Sequence, residues 1–106
     1  MVHDRGGAEG RDLVIEDEEV VAALIVLEPG WIDQLYVDPM YTRGGLGSRL
    51  VDLAKEINPD GLDLWTFQTN GGARRLYERH AFVAVDTTEG DNQEGAPDVR
   101  YHWPNR

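Results

Sequence analysis

Between Trp31 and Gln68 the hydrophobic period changes twice. "WIDQLYV" (31–37) alternates as a strand does. From Gly45 to Ile57 the apolar positions Leu46, Leu50, Leu53, Ala54 and Ile57 fall on one helical face, and "LDLWTFQ" (62–68) alternates again. A strand, a helix and a strand at this spacing make a βαβ unit, so the two strands should be parallel. That constraint commits the chain to an open sheet with a helix packed on it. Simple alternation in the first strand sets Trp31, Asp33, Leu35 and Val37 on one face, and Ile32, Gln34 and Tyr36 on the other.

The flanks extend this unit. "DLVI" (12–15) and "VVAALIVLE" (20–28) read as a hairpin across the polar turn "EDEE", the second strand apolar enough to be buried on both faces. "NPDG" (58–61) stops the first helix. A second helix is predicted over 71–80, with Asn70 as N-cap and Ala73, Leu76, Tyr77 and His80 on one face. "FVAVD" (82–86) and "DVRYHW" (98–103) complete the order β-β-β-α-β-α-β-β. The expected architecture is an α/β (α+β mixed-sheet) domain over 12–106, preceded by a flexible tail at 1–11 that is rich in glycine and charge.

The chain has no cysteine, which excludes disulfides, thiolate metal sites and a cysteine nucleophile. No metal-ligand spacing is visible, and His80 reads as structural. The net charge of −10 is uneven: residues 1–38 carry −8, residues 39–80 carry +1 and residues 81–106 carry −3. Acidic flanks argue against a nucleic-acid partner, and the middle third is where an anionic ligand is tolerated. No apolar run is long enough for a membrane helix, and the opening "MVHDRGGAEGRD" is unlike a secretory leader. A cytoplasmic location is expected.

"YTRGGLGSRL" (41–50) stands at the first strand-to-helix switch. A glycine-rich turn opening a helix is either a plain turn or an anion cradle. The first helical N–H groups lack internal partners, the macrodipole places positive charge there, and glycine lets a phosphate approach the backbone. Arg43 would add a cation. No Lys-Ser/Thr follows, so this is not a Walker A loop, and the dinucleotide fingerprint fails because Leu50 stands at its third glycine position.

"LYVDPMYTRGGLGSRLVDLA" (35–54) resembles the acyl-CoA-binding motif of the GNAT N-acetyltransferase superfamily: Val-x-Pro at the strand end, then Gln/Arg-x-x-Gly-x-Gly/Ala and a leucine. Val37, Pro39, Gly45, Leu46, Gly47 and Leu50 take the matching places. "NGGARRLYERHAF" resembles the second motif through Asn70, Ala73, Tyr77 and Phe82. Thr42 stands where the superfamily has Gln or Arg, and Ala81 replaces the glycine before Phe82. The chain reaches its hairpin near Asp12, so the resemblance implies a GNAT-like fold lacking the usual first strand and first two helices, which build much of the acceptor pocket.

The resemblance also implies a reaction: transfer of an acetyl group from acetyl-CoA to an amine by direct attack, with no metal. Tyr77 matches the general acid, its alternative role being a core aromatic. Asp33 is the candidate base, with Glu28 or a water chain as alternatives. Tyr36 and Val37 would take the pantetheine arm and acyl oxygen. Arg43, Gly44, Gly45, Leu46, Gly47 and Ser48 would hold the pyrophosphate. Asn70 and Ala73 would line the arm, with Asn70 also able simply to cap its helix. Arg74 and Arg75 would face the adenosine phosphate. The acceptor amine stays unassigned. An open sheet edge suggests a homodimer. The competing expectation is an acyl-CoA-binding regulatory or interaction module without catalysis.

Overall fold

Each period change marks a real boundary. The computed structural model describes residues 2–4, 10–42, 44–90 and 95–104, with the His3 side chain left aside. Its strands are β1 (Val2–Asp4), β2 (Arg11–Asp17), β3 (Val20–Glu28), β4 (Trp31–Val37), β5 (Gly61–Phe67), β6 (Val83–Thr87) and β7 (Asp98–Pro104). The helices are α1 (Leu46–Ile57) and α2 (Gly71–Arg79), and a 3-10 turn spans Pro39–Tyr41. The seven strands form one sheet in the order β1-β2-β3-β4-β5-β7-β6, with β4 and β5 parallel as predicted and every other pair antiparallel.

One element differs from the expected loose tail. Val2–Asp4 pair with Leu13–Ile15 of β2. Three residues show no alternation, so only the partner edge makes them a strand. They take up part of the edge on which a second copy was expected, while residues 5–9 lie outside the described residues.

α1 and α2 lie side by side on one face of the sheet. Leu50, Val51 and Ala54 of α1 and Tyr77 of α2 join Leu13, Ala23, Ile25, Ile32, Leu62, Leu64, Val99 and Tyr101 in a single core. Lys55 bridges the far ends of the two helices by donating to the His80 carbonyl, and its ammonium lies 4.8 Å from the Trp103 ring centroid. The opposite face, which no described helix covers, presents Trp31, Tyr36, Trp65 and Phe67, all partly exposed. β3 is fully buried on the helix side at Ala23, Ile25 and Leu27, and half-buried at Leu24 and Val26 on the other.

Among the described residues, two turns hold non-glycine residues at positive φ. Glu18 (49°) and Glu19 (70°) make the two-residue β2–β3 connection. Ala81 (68°) ends α2. There the Ala81 N–H donates to the Glu78 carbonyl at 3.2 Å and the Phe82 N–H to the Tyr77 carbonyl at 3.0 Å. These are the two bonds of a Schellman cap, in a turn where glycine is the usual residue.

Candidate active site

The site begins with a fault in the sheet. β3 pairs Leu27 with Ile32 and Val26 with Gln34, so Asp33 is an extra residue, a β-bulge. The bulge shifts the alternation expected from sequence. Ile32, Leu35 and Val37 share the helix side, whereas Asp33, Gln34 and Tyr36 are exposed. The bulge also bends β4 away from β5, and the two pair only at Trp31–Asp63 and Ile32–Leu64.

A cleft of about 680 Å³ opens where the strands part, lined by Asp33 and Leu35 on one side, Trp65 and Phe67 on the other, and Asn70, Ala73 and Tyr77 of the α2 turn. The Asp38 N–H donates to the Ala22 carbonyl at 2.8 Å, which fixes the phase of the β3–β4 ladder. By alternation the backbone groups of Leu35 and Val37 face the cleft, with no β5 partner. Tyr36 does not face it. Its backbone pairs with Leu24, and its hydroxyl donates to Asp38 at 3.4 Å on the exposed side. Leu35, missed in the sequence, takes the place expected for Tyr36, because the bulge decides which residues point inward.

The cleft continues into a cavity of about 410 Å³ at the start of α1, lined by Val37, Gly45, Gly47 and Ser48 and, from α2, by Leu76 and Arg79. Gly45 caps α1 at φ 72°. A Cβ on Gly47 would sit 3.2 Å from Leu76 Cδ2 and 3.6 Å from Val37 Cγ2, so this glycine lets α1, α2 and β4 close together. Glycine at 44 is demanded by neither constraint: its φ is not positive, and the nearest atom to an added Cβ is the Tyr41 carbonyl at 3.5 Å. The first helical bond runs from the Arg49 N–H to the Gly45 carbonyl. The Leu46, Gly47 and Ser48 N–H groups precede it, with no side-chain cap and no acidic residue in the first turn. Their partial positive charge is left for a ligand. Arg43 lies outside the described residues.

On α2, Asn70 acts as the N-cap: its side-chain oxygen accepts from the Ala73 N–H at 3.1 Å. Both Asn70 and Ala73 also line the two cavities. Arg74 turns inward instead of toward a phosphate. Its Nε donates to the Tyr101 hydroxyl at 3.0 Å and its Nη1 to the Gln68 carbonyl at 3.2 Å. Arg75 is exposed. Among the described residues the arginine lining this cavity is Arg79, seven positions after Gly72 and three after Leu76, a helical spacing that sets the three on one face.

Tyr77 is 5% exposed, yet it reaches the wall of the large cleft. Its ring packs against Phe82 at 5.6 Å and Tyr101 at 6.2 Å. Burial pushes its hydroxyl up to about 12, so the phenol is neutral at pH 7. Asp33 lines the same cleft, and Glu28 does not. Asp63, one strand over, is already engaged by Arg100 Nη2 at 2.6 Å and by His102 Nδ1. Burial alone would raise its carboxyl, but the bonds from His102 and Arg100 hold it below the usual carboxylate range.

Residues 3–82 match the Acetyltransferase (GNAT) family. The chain belongs to this family. Solved structures agree on the fold. Ard1 from Thermoplasma volcanium superposes with a TM-score of 0.79 at 22% identity, over 90% of this chain and 70% of that one. The ribosomal-protein-S18-alanine N-acetyltransferase from Escherichia coli gives 0.75 at 21%, over 93% and 71%. A chain of the NatC complex bound to Gag peptide and CoA gives 0.75 at 21%, over 92% and 71%. No curated protein matches the sequence. Within this GNAT domain, the parted strands, the uncapped α1 start and Tyr77 converge on one continuous cleft, whose two cavities share Leu35, Asn70 and Ala73.

Proposed function

We propose that this protein is an N-acetyltransferase that passes an acetyl group from acetyl-CoA directly to a primary amine. The observation that carries this reading is the continuity of the cleft from the uncapped N-terminus of α1, along the unpaired edge of β4, to Asp33 and Tyr77. The pyrophosphate would accept hydrogen bonds from the Leu46, Gly47 and Ser48 N–H groups. The pantetheine arm would bond the Leu35 and Val37 backbone like a short added strand.

The amine arrives protonated. Asp33, directly or through water, takes one proton, and the free amine attacks the acetyl carbon. The N–C bond forms, the C–S bond breaks, the sulfur leaves carrying the electron pair, and the nitrogen sheds its second proton to solvent. Tyr77, which lines the same cleft, would be the donor to that sulfur. With its hydroxyl near 12 against a thiol near about 8.5, full proton transfer would run uphill by roughly 5 kcal/mol. Tyr77 therefore acts by holding a hydrogen bond to the developing thiolate, and solvent completes the protonation.

Thiol release with acetyl-CoA and a panel of amines tests the reading. Tyr77→Phe should lower kcat by roughly ten- to hundredfold with donor affinity retained. Unchanged turnover would remove Tyr77 from the mechanism. Saturable CoA binding with no turnover on any amine would instead fit an acyl-CoA-binding module.

A further inference from the structure

A separate cavity of about 250 Å³ opens on the helix-free face beside the bulge, lined by Glu28, Trp31, Ile32, Asp33 and Trp65. It shares Ile32, Asp33 and Trp65 with the donor cleft, so the two spaces meet at Asp33. Its walls are two indole rings, 37% and 41% exposed, and two carboxylates. Among the described residues neither Glu28 nor Asp33 has an ion pair, whereas Asp63 nearby is engaged twice. The Arg100 guanidinium stands 5.3 Å from the Trp31 centroid, so this ring already attracts a cation within the chain. Arg100 is offset by Asp63 at 2.6 Å, which leaves Glu28 and Asp33 as uncompensated negative charge.

Aromatic faces beside free carboxylates select organic cations. The volume lies below the range of sites that enclose drug-sized ligands, so the occupant is small or enters end-first. The geometry points to an aliphatic diamine as the acetyl acceptor, with one ammonium held by Glu28 against the indoles and the other amine at Asp33, at the mouth of the donor cleft. The first nitrogen keeps its proton and its charge. The second, also an ammonium, gives one proton to Asp33 and forms the new N–C bond as the C–S bond breaks; it then sheds another proton to solvent, which protonates the leaving thiolate. The acceptor role rests on the N-acetyltransferase reading above; the cation site does not.

The test separates the two. Pentane-1,5-bis(trimethylammonium), which cannot be acetylated, is titrated into the full chain while indole fluorescence is followed. A saturable change is expected, weakened about three- to tenfold in Glu28→Gln, which keeps the side-chain shape, and in Trp65→Ala, with circular dichroism confirming that both fold. No saturable response in the wild-type protein, or an equal response in Glu28→Gln, overturns the site whether or not the protein turns over. In thiol-release assays, 1,5-diaminopentane should exceed pentylamine in kcat/KM by about tenfold or more, and Glu28→Gln should collapse that ratio with acetyl-CoA affinity unchanged. Equal kcat/KM for the two amines overturns the diamine assignment. Dication binding without turnover on any amine removes the acceptor role and retains the cation site.

Discussion

Ala81→Gly should stabilise this protein. Ala81 occupies the left-handed position of the α2 Schellman cap at φ 68°, with both cap bonds formed. An L-residue there costs roughly 1–2 kcal/mol through the contact of its Cβ with the backbone. Glycine removes that cost and adds roughly 0.5–1 kcal/mol of unfolded-state entropy to be lost on folding. Ala81 is exposed, so its methyl group gives up no core packing. The net gain is about 0.5–1 kcal/mol, or a rise of roughly 3–6 °C in Tm for a domain of this size. Urea unfolding should show a higher midpoint at constant slope. Acetyl transfer should be unaffected, because the cap bonds that seat Phe82 beneath Tyr77 remain. A midpoint that stays put or falls would refute the reasoning, since it would mean that the turn is not strained or that the Ala81 methyl group makes a contact of its own.

Three other outcomes follow from the same geometry. Replacing Glu18-Glu19 by Asn-Gly should add about 1 kcal/mol, because both residues sit at positive φ in a two-residue hairpin turn; a denaturant titration checks it. Gly47→Ala sets a methyl group 3.2 Å from the mobile end of Leu76, a small cost offset by better helix propensity, so stability should change by less than about 1 kcal/mol. Calorimetry should nonetheless find acetyl-CoA binding weakened tenfold or more, roughly one 1.4 kcal/mol step. Tyr77 has its folded-state value raised to about 12 from 10.0. The stability it contributes is thus complete below pH 10 and lost as pH rises through 12, by roughly 2–3 kcal/mol. Tyr77→Phe should flatten that loss in urea midpoints measured between pH 9 and 12, and an unchanged slope would show that the phenol is not buried as described.

The βαβ unit, the hairpin and both helices were legible in the sequence because each is set by local period and punctuation. The backbone geometry at Gly45 and Gly47 was legible too, since a special φ and a close approach are both written as glycine. What was hidden depends on partners distant in sequence. The bulge at Asp33 exists only in the register between β3 and β4, yet it decides that Leu35 and not Tyr36 faces the cleft. Arg74 looked available for a phosphate until β7 supplied the Tyr101 hydroxyl. The indole-lined cavity joins Trp31 and Trp65 across two strands that a helix separates in sequence. Val2–Asp4 became a strand through the edge they meet.

Thermal unfolding followed during titration with acetyl-CoA tests the account most directly. A ligand that binds the folded cleft must raise its stability, by about 2.7 kcal/mol at one hundred times Kd. We expect a saturable rise in Tm in the wild-type chain and a markedly smaller one in Gly47→Ala. No rise at millimolar acetyl-CoA would contradict the assignment of the parted β4–β5 cleft as a donor site.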